Sequence, residues 1–168
     1  MTKRIFLPFL TFAIVLLSSC DGDEPQPDSG YFTVYSNNYD LTRAQIFPRL
    51  TPLKIGEGGA DIYETELLFN GADHIYVMIT LMSGTQQLNS GTYYFRSDEI
   101  DPFVGKISYF LLMHGGPDRI LTSTGLQVEG SITVSVKGLH HVFDLKANFG
   151  GVEVIFHYEG QPHIWSPS

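Results

Sequence analysis

The sequence predicts an all-β fold, and two patterns carry this prediction. Apolar and polar residues alternate with a period of two through segments such as 62–69 and 128–136, as in antiparallel strands that have one face on a core. Turn-forming pairs separate these runs. The pairs are Asn37–Asn38, Gly58–Gly59, Asn70–Gly71, Ser83–Gly84, Gly115–Gly116 and Gly150–Gly151. Beyond residue 30, no segment shows the 3.6-residue periodicity of an amphipathic helix.

The strands are expected to form one domain over residues 31–168, with about nine or ten strands by the spacing of the runs. Within 128–136, the alternation directs Val134 toward the core and Thr133 toward solvent. Two architectures fit: a single antiparallel β-sandwich, or a flattened, partly open up-and-down barrel. Inward and outward residues alternate in the same way in both, so the sequence leaves the choice open.

Residues 1–19 have the features of a secretion signal peptide. Lys3 and Arg4 give a positive start, and the apolar run 5–17 is shorter than the ~20 residues that a membrane-spanning helix needs. Leu17–Ser18–Ser19–Cys20 follows, and this quartet resembles the bacterial lipobox. The resemblance implies cleavage before Cys20 and attachment of diacylglycerol to its thiol. The alternative is an ordinary secretory signal that happens to contain a cysteine.

Segment 20–30 is predicted to be a disordered tether, because it is acidic and proline-rich and cannot bury a core. Cys20 is the only cysteine, so no disulfide is expected. Asp21, Asp23 and Glu24 resemble the export signal that follows the lipidated cysteine of Bacteroidetes lipoproteins. That resemblance implies display on the outer face of the outer membrane. The alternatives are a linker without an address, or retention at the inner membrane facing the periplasm.

The balance of charge limits the partners. The chain has 18 acidic and 10 basic residues and a formal net charge of −8. Such a chain repels polyanions, so no nucleic acid partner is expected. The outer membrane, reached through the lipid anchor, is the expected partner, and an additional protein or glycan partner is left open.

Several motifs resemble those of a known group of proteins. They are Tyr31–Val34, Tyr39–Leu41, Leu88–Phe95, Gly130–Ser135, the "FDL" triplet Phe143–Leu145, and Gly151–Tyr158. Together they look like small Bacteroidetes surface lipoproteins whose C-terminal signature is a strand, a short turn and an "FDL" hairpin. The resemblance covers most of the chain and implies source, surface location and β fold. It implies no catalytic residue.

The histidines are the main candidates for chemistry. If Lys146 pairs with Gly151 in the C-terminal hairpin, His140 lies opposite His157 on the outer face, with Glu159 nearby. Facing side chains are ~5 Å apart, which would suit a transition metal. A solvated polar face is the favoured alternative, so no metal or other cofactor is expected. The same pairing predicts an inward set of Leu139, His141, Phe143, Leu145, Val152, Val154, Phe156 and Tyr158.

No nucleophile elbow, P-loop or zincin motif is present in the sequence, so no catalytic residue is assigned. Glu64 and Glu66 form a carboxylate pair on one strand face, which glycosidases use, but solubility explains it better. Trp165, the only tryptophan, is either a ligand-stacking ring or a cap on the open end of the core.

These observations favour a non-enzymatic, lipid-anchored surface lipoprotein that acts as a binding or interaction module. A rigid β scaffold presents loops outward, and loops carry recognition. One alternative is a lipocalin-like carrier of a small apolar ligand, which requires a cavity of ~300 Å³ or more. Another is a glycan-binding accessory protein.

Overall fold

The computed structural model describes residues 28–49, 52–54, 61–72, 75–95, 106–113, 120–124 and 127–166. Within these ranges the regular secondary structure consists of strands, which confirms the all-β prediction. The strands are β1 (Ser29–Val34), β2 (Asn37–Pro48), β3 (Leu53–Lys54), β4 (Asp61–Gly71), β5 (Tyr76–Ser83), β6 (Gly91–Phe95), β7 (Lys106–Met113), β8 (Ile120–Thr122), β9 (Val128–Lys137), β10 (His140–Phe149), β11 (Val152–Gly160) and β12 (His163–Ile164).

The predicted signal peptide and lipidation site lie outside the described residues, as do Asp21, Asp23 and Glu24. Across the part of the chain that is described, no helix has the length and apolar character needed to cross a bilayer. Strand β1 begins two residues before the predicted start of the domain. Ser29 pairs with Glu159, and Gly30 pairs with Tyr158, so the end of the predicted tether is part of the sheet.

The sheet closes on itself into a barrel of nine strands. Around the ring the order is β1, β11, β10, β9, β6, β7, β5, β4 and β2, and β2 returns to β1. Neighbouring strands of the ring are antiparallel except β6 and β7, which are parallel. The short strands β3, β8 and β12 extend it at β4, β7 and β2. The prediction of a sandwich or a partly open barrel is therefore corrected to a closed ring.

Closure depends on β2, which is 12 residues long. Its first part pairs with β1 from Asn37 to Leu41, and its second part pairs with β4 as far as Pro48. The register shifts between Leu41 and Arg43. A bulge of this kind bends a strand and increases its twist. One strand therefore pairs with two neighbours in succession, and the sheet closes through it.

The inward faces are packed with aromatic rings. Phe69 contacts Phe143, Phe156 and Tyr158, with ring centroids 4.6 to 5.3 Å apart. A second cluster consists of Phe95, Phe110 and Phe149. All of these side chains are buried, and full burial of one such ring stabilises the fold by roughly 1.5–3 kcal/mol.

The predicted faces agree with the structure almost throughout. Val134 is buried and Thr133 is exposed, which confirms the assignment in β9. Leu139 is the exception in the inward set, because it is 69% exposed. It belongs to the two-residue turn between Lys137 and His140, which pair with each other, and the side chain of a turn residue has no core to enter.

The first predicted turn is displaced by two residues. Asn37 and Asn38 were expected to form it, but both lie in β2. The turn is made by Tyr35 and Ser36, with φ angles of 50° and 61°. Two positive φ angles match the type I′ turn of two-residue hairpins, which shows that the turn can form without asparagine or glycine at its centre.

The hydroxyl of Tyr158 is buried and has no hydrogen-bond partner of standard geometry, although the carboxyl of Asp28 and the backbone of Ala44 lie near it. Burial, and then the nearby Asp28, raises the pKa of Tyr158 above its ordinary value of 10.0. The hydroxyl therefore stays protonated at neutral pH. A buried polar group without a partner costs about 1–3 kcal/mol.

We expect Tyr158→Phe to leave the free energy of unfolding unchanged or to raise it by about 1 kcal/mol, measured by urea denaturation at neutral pH. Tyr93→Phe is the matched control, because Tyr93 is equally buried but donates a hydrogen bond to the carbonyl of Asn89 at 2.9 Å. That change should cost about 1 kcal/mol. Equal losses in the two variants would contradict the assignment.

Candidate functional site

The two candidate metal-ligating histidines, His140 and His157, do not face each other, because β10 and β11 pair in a register that differs from the one expected. Phe149 pairs with Val152, and the turn is the two residues Gly150 and Gly151, with φ angles of 61° and 98°. Asn148 accepts a hydrogen bond from the Gly151 amide at 2.7 Å. The predicted Lys146–Gly151 pairing required a longer loop, whereas a type I′ turn matches the twist of the strands. The displacement is an even number of residues, so each side chain keeps its predicted face.

His140 and His157 consequently belong to two separate pairs. His157 lies opposite Asp144, and its Nδ1 is 2.7 Å from the carboxylate Oδ1. His140 lies diagonally from Glu159, with 3.0 Å between Nε2 and Oε1. Each imidazole thus has one carboxylate partner of its own. Among the described residues, no group of three or more His, Cys, Asp or Glu side chains could hold a metal ion.

The other two candidates from the sequence lie on the outside of the barrel. Glu64 forms an ion pair with Arg49, and Glu66 is exposed. Trp165 is 46% exposed and stacks on Phe47, with ring centroids 5.7 Å apart and an angle of 9° between the planes. The indole therefore packs on the outer face of β2 and does not cap the core.

A pocket with a volume of about 320 Å³ opens at one end of the barrel, and we call it the tether-end pocket. One part of its wall is apolar and the other is polar. The apolar part consists of Ile46, Pro48, Leu88, Val136 and Ile164. The polar part consists of Thr65, Gln86, Gln87 and His141, with Gly138 beside them.

The pocket lies at the end of the barrel where β1 begins. Strand β10 starts here, and His141 pairs with Gly160 at the end of β11. Next to that pair, Ser29 at the start of β1 lies opposite Glu159. Asp28 accepts a hydrogen bond from the backbone amide of Gln161 at 2.8 Å. The chain that leads from Cys20 therefore enters the barrel at the same end as the pocket.

The connection between β5 and β6 forms one wall of the pocket, and its own hydrogen bonds hold it. Thr85 donates to the carbonyl of Gln87 at 2.9 Å and accepts from the side-chain amide of Asn89 at 2.7 Å. Ser90 Oγ accepts from the backbone amide of Val136 at 2.8 Å. The wall is thus preorganised, which lowers the ordering cost of binding a ligand.

His141 is the buried titratable group of the pocket wall, with only 3% of its surface exposed. Its ring stacks on Phe143 at 6.0 Å between centroids. Its Nδ1 is 2.9 Å from the carbonyl of Leu139, so Nδ1 carries the hydrogen and Nε2 is the acceptor of the neutral ring. Burial lowers the pKa of His141 below 6.5; the Leu139 hydrogen bond opposes this shift, and His140 adds to it.

Sequence reasoning placed His141 on the inward face but gave it no role. The available signal was a histidine at the end of an otherwise apolar inward set. The residues that surround it come from β2, β4, β9, β12 and the β5–β6 connection. Their convergence depends on closure of the ring, which the alternation of residues does not encode.

Comparison with known protein families, with curated proteins and with solved structures finds no match to this chain. The resemblance to Bacteroidetes lipoproteins stays a prediction from the sequence motifs.

The lowered pKa of His141 makes stability depend on pH in a defined direction. The imidazole of His141 binds a proton more readily in the unfolded chain than in the folded chain. Its contribution to the free energy of unfolding is therefore complete above about pH 6.5 and is lost as the pH falls toward the folded-state pKa. We expect His141→Phe to remove this loss. As the pH falls from about 7.5 to 5, the free energy of unfolding of the variant, measured by urea denaturation, should rise relative to that of the wild type. The rise should be at most about 1.4 kcal/mol per pH unit. Parallel profiles would show that His141 does not titrate in this way.

Proposed function

We propose that this chain is a non-enzymatic binding lipoprotein, held at the cell surface by a lipid on Cys20, with the barrel as its ligand-binding part. The tether-end pocket is the observation that supports binding. Small-molecule sites are concave and mostly apolar, with a few placed polar groups. The pocket has this composition, and its volume of about 320 Å³ lies within the usual range of ~300–1,000 Å³.

The sequence supports the proposed location. The lipobox-like quartet ends at Cys20, and the acidic residues Asp21, Asp23 and Glu24 follow. Acyl chains contribute about 0.8 kcal/mol per buried CH₂, so more than one chain on a single cysteine anchors a protein stably. The motifs that resemble those of small Bacteroidetes lipoproteins favour the outer face of the outer membrane over the periplasmic side.

The pocket favours a carrier that resembles a lipocalin, but with the ligand bound at the mouth of the barrel and not in its interior. The aromatic clusters around Phe69 and Phe110 fill inward positions of the barrel. A ligand in the tether-end pocket would rest against the outer layer of this packing. Glycan binding is the second candidate, and the exposed Trp165 indole is the feature that favours it.

Cys20→Ala tests the anchor. We expect the variant to lose labelling by radioactive fatty acid and to leave the membrane fraction, because its thiol is the proposed acylation site. Ser19→Ala is the matched control, since it keeps a small side chain before the cysteine and should be labelled normally. Membrane association of Cys20→Ala equal to that of the wild type would disprove the proposed anchor.

The combined change Asp21→Asn, Asp23→Asn and Glu24→Gln tests surface display in a Bacteroidetes host. We expect lipid labelling to persist and cleavage by protease added to whole cells to be lost, because the acidic run is proposed to direct export. Asp28→Asn, which lies outside that run, should leave the protein accessible. If the triple variant is cleaved as fast as the wild type, the acidic run is only a linker.

A further inference from the structure

Within the part of the chain that the structure describes, the tether-end pocket offers no counter-charge to an ionic ligand. None of the described residues that line it is Asp, Glu, Lys or Arg. His141 is the only titratable side chain among them, and its ring is neutral at pH 7 because burial lowers its pKa. Moving a charged group out of water without a partner is costly. The pocket therefore selects for a neutral ligand.

The apolar and polar parts of the pocket wall determine which kind of ligand fits. Ile46, Val136 and Ile164 supply apolar surface, which suits a hydrocarbon segment. Thr65 and His141 are polar and buried, with 3% of the surface of each exposed. The ligand is thus amphiphilic, with a hydrocarbon part on the apolar wall and a polar head among the buried polar groups.

His141 determines the kind of polar head. Its Nδ1 is engaged with the carbonyl of Leu139, so Nε2 is the acceptor that the neutral ring can offer. An acceptor pairs with a hydroxyl or amide donor and not with a carboxylate or an ether oxygen. An alcohol-type head therefore matches this side chain better than a fatty-acid head does.

The position of the pocket determines where such a molecule comes from. The tether of residues 21–28 spans at most about 28 Å when fully extended, at ~3.5 Å per residue. It enters the barrel beside the pocket, at the hydrogen bond between Asp28 and Gln161. With Cys20 anchored, Asp28 stays within that distance of the membrane surface, where neutral amphiphiles are concentrated, and the pocket opens at the same end of the barrel as Asp28.

We propose that the tether-end pocket binds a small neutral amphiphile with a short hydrocarbon chain and a hydroxyl head that donates to His141 Nε2. The inference rests on the proposed function for the membrane-side location, and on the pocket itself for the chemistry of the ligand.

Titration calorimetry with three probes of similar size tests the proposal. The protein is the full chain carrying Cys20→Ala, so that no acyl chain of its own competes. The probes are 1-octanol, its isomer 1-methoxyheptane, which has no donor, and octanoate, which is anionic. We expect saturable one-to-one binding of 1-octanol, about fivefold tighter than that of 1-methoxyheptane, the factor that one hydrogen bond of about 1 kcal/mol gives. Octanoate should bind more weakly than both, because its charge has no partner in the pocket.

Three variants test whether the probes bind in the tether-end pocket. His141→Phe should bind 1-octanol and 1-methoxyheptane equally, whereas His140→Phe, on the outer face, should keep the wild-type preference. Val136→Phe should fill the pocket and abolish binding of all three probes. The urea transition of each variant shows whether it is folded, and the preference among probes in the parent chain does not depend on any variant.

Three results would overturn the proposal: no binding of 1-octanol, tighter binding of octanoate than of 1-octanol, or an unchanged preference in His141→Phe. These outcomes are separate from failure of the proposed function. Lipid labelling and release of Cys20→Ala do not involve the pocket. If 1-octanol does not bind but the anchor experiments succeed, the lipoprotein stands and this ligand class is wrong.

Discussion

The double pairing of β2 is the constraint on which the rest of the structure depends. A strand with neighbours on one side only leaves a row of unsatisfied amides and carbonyls, which other chains can pair with. β2 joins the two ends of the sheet by pairing first with β1 and then with β4, on either side of the irregularity between Leu41 and Arg43. Ring closure turns one face of every strand inward, and the buried aromatic residues become a single core. It also brings the ends of distant strands together, which creates the tether-end pocket.

Among the described residues, the histidines on the outside of the barrel differ in burial from His141 on the inside. The His157–Asp144 and His140–Glu159 pairs lie on the outer face and are partly or largely exposed. Exposed pairs of this kind contribute only about 0–1 kcal/mol each, because water and salt weaken them. His141 is one residue from His140 but points inward and is almost completely buried. Its hydrogen bond and its shifted pKa therefore matter more to stability and to ligand choice than either outer pair does.

Asp28, which precedes β1, packs tightly against the end of β11. Asp28 accepts a hydrogen bond from Gln161, and a Cβ atom at Gly160 would lie 2.3 Å from the Asp28 carboxylate oxygen. Only glycine allows this approach without displacement of the aspartate. Asp28 also lies near the Tyr158 hydroxyl, so this residue links the start of β1 to the core at the pocket end of the barrel.

The sequence by itself determined the all-β class and the face of nearly every side chain in β9, β10 and β11. This follows from the period of two, which depends only on local backbone geometry. An error in register by an even number of residues left the faces unchanged, so Val134, His141 and Tyr158 were assigned inward although the hairpin pairing was wrong. The separation of His140 from His157 was also encoded locally, because a two-residue turn at Gly150–Gly151 makes Phe149 face Val152; the predicted pairing of Lys146 with Gly151 placed a longer loop there. Closure of the ring was decided by the tertiary structure, since a sandwich and a barrel have the same alternation and differ here in whether β2 reaches β4. The setting of His141 among Ile46, Leu88 and Ile164 has the same origin, because these residues are distant in sequence and meet only when the barrel closes.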